Sequence, residues 1–221
     1  MIRKPWTAAL VLALLLSPSC RPGKVLLTPV PERVESLEGY ASLSVGREGE
    51  SIRSKFSFLL IPVDRGQIEV SNFLAGTVGR MIFTGETAYF VVPSRRVFWA
   101  GAEEEAIDRF LGFPLTLAEV VHMISGRWPV STGGWVLHTG RGGRVVSGSR
   151  EELAFRVEDF VPGTRLPRKI EFSHPTSRGR LTILRIGFNA TPPDAAFSLE
   201  FRNRFQKKTW DEILELIHAP N

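Results

Sequence analysis

The chain carries few side chains suited to covalent chemistry, and one of them stands apart. Cys20 is the only cysteine among 221 residues, so no disulfide can form within one monomer. It lies directly behind an apolar run, in Ser17-Pro18-Ser19-Cys20. A lone thiol in that place is suited to carry acyl chains. The histidines at 122, 138, 174 and 218 are isolated and lack the paired spacing of a zinc site. No nucleophile-elbow or phosphate-loop motif occurs. Gly140-Arg141-Gly142-Gly143 is glycine-rich, but it joins two strand-like segments and opens no helix, so a hairpin turn accounts for it. Glu103-Glu104-Glu105 reads as a solvated helix start. These features predict a protein that is not an enzyme and that uses no metal or cofactor.

The segment before Cys20 has its own logic. Arg3 and Lys4 give a positive start, and Trp6 to Leu16 is almost unbroken apolar sequence. That run is shorter than the about 20 residues needed to span a bilayer, and small residues follow it. The pattern is that of a secretory signal peptide over residues 1–19, cut before Cys20. Ser17 to Cys20 resembles a lipobox, the motif read by the lipoprotein signal peptidase. Ser19 meets its small-residue requirement, while Ser17 stands where an aliphatic side chain is preferred. The alternative is an ordinary cleaved signal with an incidental cysteine. Residues 20–33 then form a lipidated cysteine and a tether with Pro22, Pro29 and Pro31. A short helical turn is expected around Glu32 to Leu37.

Composition narrows the partners. The formal net charge of +5 falls to +3 once Arg3 and Lys4 are removed. The remaining charges are scattered and no aromatic-interleaved basic stripe occurs, which argues against nucleic acid. A mildly positive surface suits anionic lipid headgroups. Fifteen Phe against two Tyr favours a dry interior, because a buried tyrosine needs a hydrogen-bond partner.

The elements that position these residues are mostly strands. Alternation predicts strands near Leu43, over Lys55–Ile61, Gln67–Leu74, Arg80–Thr84, Ala88–Val92 and Arg96–Ala100. Connections this short allow only antiparallel pairing. Two helices follow. Residues 103–111 carry the stripe Ala106, Ile107, Phe110 and Leu111, and Gly112-Phe113-Pro114 breaks it. Thr116 to Glu119 is a capping box opening a helix with Leu117, Val120, Val121 and Ile124 on one side. Strands resume over Trp135–His138, Arg144–Ser147, Leu153–Phe160, Arg168–Ser173, Arg180–Phe188 and Ala196–Arg202. A second capping box at Thr209 starts a terminal helix. The reading is mainly β with α: a curved antiparallel sheet of about 10–11 strands, an incomplete barrel over residues 34–221, with a helical lid and a C-terminal helix.

This layout, with its signal, resembles the LolA/LolB superfamily of periplasmic lipoprotein carriers, and LolB-like outer-membrane lipoproteins in particular. The resemblance covers roughly Val34 to Ile217 and is carried by Phe73-Leu74-Ala75-Gly76, Val92-Pro93, Phe98-Trp99 and GFPLTLAEVVHMISGRWP, Gly112 to Pro129. It implies an apolar cavity that holds acyl chains of a lipoprotein or lipid. Phe56, Phe58, Leu60, Met81, Phe83, Phe197, Leu199 and Phe201 are the expected cavity residues. Ile107, Phe110, Leu117, Val121 and Ile124 are the expected lid. Phe73 and Leu74 sit beside a turn where side chains alternate across the strand, so either one of them is exposed or both pack under neighbouring loops; the resemblance gives this place a membrane-contacting apolar side chain. It also implies a soluble periplasmic carrier as partner. Arg21, rather than an aspartate, follows Cys20, which by analogy points to the periplasmic face of the outer membrane. The competing reading is a non-carrier envelope lipoprotein of the same fold, with a filled interior, serving as a binding subunit of an envelope complex.

Overall fold

A computed structural model describes residues 30–47, 50–62, 65–72 and 76–218. Cys20, the signal segment, Phe73 and Leu74 lie outside the described residues.

Alternating sequence builds the first half of the sheet. β1 (Leu37–Arg47), β2 (Glu50–Ile61) and β3 (Arg65–Asn72) turn Leu37, Ala41, Leu43, Phe56, Phe58, Leu60 and Ile68 to one buried face. β4 (Gly76–Thr84), β5 (Thr87–Val92) and β6 (Val97–Ala102) continue the meander and add Met81, Phe83, Phe90 and Trp99 to the same face. β1 is longer than the segment expected around Leu43. Gly39 weakens the alternation in sequence, yet its missing side chain admits a ring: a Cβ there would stand 2.5 Å from Phe58 and 2.3 Å from the Arg185 carbonyl.

The second half is another meander: β7 (Val136–Thr139), β8 (Val145–Arg150), β9 (Leu153–Phe160), β10 (Pro167–His174) and β11 (Ser177–Phe188). β11 returns to pair with β1, so β1 lies between β2 and β11 in the middle of one sheet. A two-residue β12 (Gln206–Lys207) runs parallel to β6. Among the described residues the order is β12-β6-β5-β4-β3-β2-β1-β11-β10-β9-β8-β7, twelve strands in a curved sheet that does not close.

Topology dictates where the helices go. β6 and β7 stand near opposite ends of this order. The segment between them must therefore cross the sheet, and α1 (Glu103–Leu111) and α2 (Leu117–Ser125) do so over its apolar face. Gly112, at φ 79°, and Gly126, at φ 66°, end these helices in the left-handed conformation. α3 (Trp210–His218) packs Trp210 against Phe90 and Trp99 on the same face, at ring distances of 5.2 and 5.4 Å. No helix among the described residues is long and apolar enough to cross a membrane.

Two expectations are corrected. Residues 31–36 are not helical. Asn189 fixes them instead, accepting from the amides of Glu35 at 2.7 Å and Ser36 at 3.3 Å and donating to the Arg33 carbonyl at 2.9 Å. Ala196–Arg202 is not a strand either. It lies in two 3-10 turns, Asp194–Phe197 and Glu200–Asn203, behind Pro192-Pro193, which cannot donate to a ladder. Its apolar side chains cover the other face of the sheet, where Leu199, Phe201 and Phe205 pack on Ile82, Tyr89, Val91 and Phe98.

Candidate functional site: the space between sheet and helices

The inner face, the one that the helices cover, is where an acyl chain would have to go. Phe56, Phe58 and Leu60 of β2, Ile68 of β3, Phe172 of β10 and Leu181 of β11 form its floor. Ile107, Phe110 and Leu111 of α1, Leu115 of the connecting loop, and Leu117, Val120, Met123 and Ile124 of α2 form its roof. Every one of these side chains is apolar. The gap between floor and roof measures about 20 Å³, room for about one water molecule and far below the roughly 300–1,000 Å³ of a typical ligand pocket. In this state the interior is closed by its own side chains. The Phe110 ring stands edge-on to Phe56 at 5.2 Å, and Phe113 stacks on Phe172 at 5.3 Å.

The expected cavity residues divide into three groups. Phe56, Phe58 and Leu60 line the gap. Met81 and Phe83 are fully buried in the same core, beside the gap rather than on it. Phe197, Leu199 and Phe201 are on the far side of the sheet: Leu199 and Phe201 join the outer cluster, and the Arg65 guanidinium lies 5.3 Å from the Phe197 ring. None of the three lines the gap between sheet and helices. Of the expected lid, Ile107, Phe110, Leu117 and Ile124 line the gap, while Val121 is buried away from it.

Polar contacts fasten the roof, and sequence reasoning missed most of them. Glu119 closes the capping box of α2, accepting from the Thr116 amide at 2.9 Å while Thr116 Oγ1 accepts from the Glu119 amide at 3.2 Å. The same carboxylate accepts from the Trp135 indole at 2.7 Å and pairs with the Arg150 guanidinium. Arg150 also donates to the Pro114 carbonyl at 3.0 Å and lies over the Trp135 ring. One acid thus joins α2 to β8 and to the entry of β7. The first acid of α1, Glu103, accepts from the Leu117 amide at 2.6 Å and so caps the next helix. Burial raises the Glu103 pKa above its ordinary value despite that bond, with Glu104, Glu119 and Glu86 adding to the rise. At the other end of α2, burial lowers the His122 pKa, opposed by its bond to the Arg127 carbonyl and by Glu119. Nothing in the spacing of Arg150 or Trp135 marks them as partners of Glu119.

The cost of opening this roof follows from burial. Ile107, Leu111, Leu117, Val120, Met123 and Ile124 are all buried, at about 1.5–3 kcal/mol each. Lifting both helices off the sheet without replacement would therefore cost on the order of 10 kcal/mol. An open state is sustained only if something apolar covers the exposed surface.

A wide antiparallel sheet, open at its edges and roofed by helices on one face, is the LolA-like fold. Three solved structures share it. A LolA-superfamily protein from Nitrosomonas europaea superposes with a TM-score of 0.56 at 9% identity, covering 76% of this chain and 93% of that one. A DUF1329-family protein from Desulfovibrio piger gives 0.53 at 9% identity, covering 79% and 93%. A domain from Vibrio parahaemolyticus, described as an outer-membrane lipoprotein-sorting protein domain, gives 0.55 at 8% identity, covering 76% and 91%. No protein-family model and no curated protein matches the sequence.

Proposed function

We propose that this protein is a lipid-anchored envelope protein that accommodates acyl chains of lipoproteins or lipids between its sheet and its helix pair, for transfer to or insertion in the outer membrane. The observation that carries this reading is the wholly apolar contact between floor and roof, in a fold shared with a lipoprotein-sorting domain. Cys20, behind its signal segment, supplies the anchor, and Arg21 after it fits the outer membrane. The role is one of binding, without catalysis. The partners are acyl chains, the membrane through the N-terminal lipid, and a soluble periplasmic carrier that delivers the cargo.

In this reading the gap of about 20 Å³ is the resting state. A chain enters as the helices part and replaces the contacts they lose. The same closure favours a second reading, in which the interior stays filled and the protein is a binding subunit of an envelope complex. Titrating the delipidated full chain with a fluorescent fatty-acyl probe separates the two. The carrier reading expects saturable binding that lipoprotein or phospholipid displaces. A folded sample that takes up no probe overturns it in favour of the second.

A further inference from the structure

The face of the sheet turned away from the helices holds a feature that acyl binding does not use. Along the middle of that face, the outward residues of β1 run from Tyr40, which stands at one end, to the small Ser42, Ser44 and Gly46. The register sets longer, cationic side chains on both sides of them. Ser44 stands between Arg53 of β2 and Arg180 of β11, Ser42 between Lys55 and Thr182, and Gly46 between Ser51 and Arg178. A low strip of hydroxyls is thus walled by guanidinium and ammonium groups, in an open groove of about 1200 Å³. Among the described residues Arg53, Lys55, Arg178, Arg180 and Glu171 line it. Arg180 is held by Glu158 at 3.0 Å, with Glu171 at 4.0 Å. Arg53 and Arg178 are exposed and make no ion pair among the described residues.

We propose that this groove binds an extended acidic peptide segment of a partner protein, lying along β1 with its carboxylates on the two cationic walls. Two features select that occupant. The walls are two strand spacings apart, about 10 Å, which admits one extended chain. Along each wall the cations recur at every second residue, Arg53 with Lys55 and Arg178 with Arg180, a repeat of about 7 Å. An extended peptide with acidic side chains at alternate positions has the same repeat. Arginine, in three of the four places, presents a planar fork that matches a carboxylate.

The test is fluorescence polarisation of a labelled peptide of alternating Glu and Ser against the full chain at low and physiological salt. The expected result is saturable binding that weakens as salt rises. A Gln-for-Glu peptide should not bind. Arg53→Gln and Arg178→Gln should each weaken binding about two- to five-fold, the range of an exposed ion pair, with unchanged thermal unfolding because both side chains are exposed. Binding of the Gln peptide with equal affinity, no effect of either substitution, or binding to vesicles of anionic phospholipid in place of the peptide would each overturn the proposal. A fatty-acyl probe in the same samples reports the inner face independently.

Discussion

Removing the carboxylate of Glu119 should loosen the roof more than any other single polar change. The residue is 8% exposed, and its carboxylate serves three donors: the Thr116 amide, the Trp135 indole and Arg150. In Glu119→Ala the indole N–H loses its acceptor in a buried place, at about 1–3 kcal/mol. Losing half of the capping box adds about 0.5–2 kcal/mol. Together with the stranded guanidinium, the loss should be about 2–5 kcal/mol, the scale seen when one partner of a buried pair is removed. For a domain of this size that is a fall in Tm of roughly 5–20 °C. Glu119→Gln keeps one acceptor oxygen and should lose about 1–2 kcal/mol. The assay is urea unfolding with hydrogen exchange on the same samples. Exchange should rise first in α2 and in β7–β8, before the central strands β1, β2 and β11. An unfolding free energy within about 0.5 kcal/mol of wild type, or exchange rising evenly across the sheet, would refute the assignment of Glu119 as the fastening of the roof.

Further predictions concern the helix start, the packed glycine and the anchor. Because burial raises the Glu103 pKa above its ordinary 4.5, the native state holds that proton more tightly than the unfolded chain does. Its stabilising contribution is therefore complete below pH 4.5 and is lost as pH rises through the raised value. Glu103→Gln, which still offers the Leu117 amide an oxygen, should gain stability relative to wild type over that rise, and parallel pH–stability curves for the two proteins would contradict this. Gly39→Ala would place a methyl 2.3 Å from the Arg185 carbonyl and 2.5 Å from the Phe58 ring, so urea unfolding should show a loss of about 1–3 kcal/mol. Cys20→Ala should move the protein out of the membrane fraction, and an intact mass showing an unmodified cysteine in the wild type would refute lipidation.

The sequence revealed those elements whose local signals and tertiary roles coincide. α1 falls on residues 103–111 as its stripe predicts, and both capping boxes form as their Thr and Glu spacing predicts. The Phe56-Phe58-Leu60 alternation faces the helices because strand and core agree there. The same alternation in Phe197-Leu199-Phe201 misleads. The segment forms two 3-10 turns rather than a strand, and its Leu199 and Phe201 cover Ile82, Tyr89, Val91 and Phe98 on the outer side. Lining residues such as Phe172 and Leu181 lie in strands whose alternation was legible, but their distance from α2 was not. The fastening of Glu119 by Arg150 and Trp135 joins residues 31 and 16 positions away, which only the crossing of the helices brings together. Closure of the interior was beyond sequence altogether, since it depends on how well particular rings and methyl groups fill the space.

The central claim is that the space between sheet and helices takes up an acyl chain, and the most direct test is native mass spectrometry of the full chain purified gently from membranes. The account predicts a folded species carrying the added mass of a non-covalently bound phospholipid or lipoprotein, lost on delipidation and restored when lipid is returned. A folded protein that shows only its own mass, with any covalent lipid on Cys20, both before and after lipid is added, would contradict it.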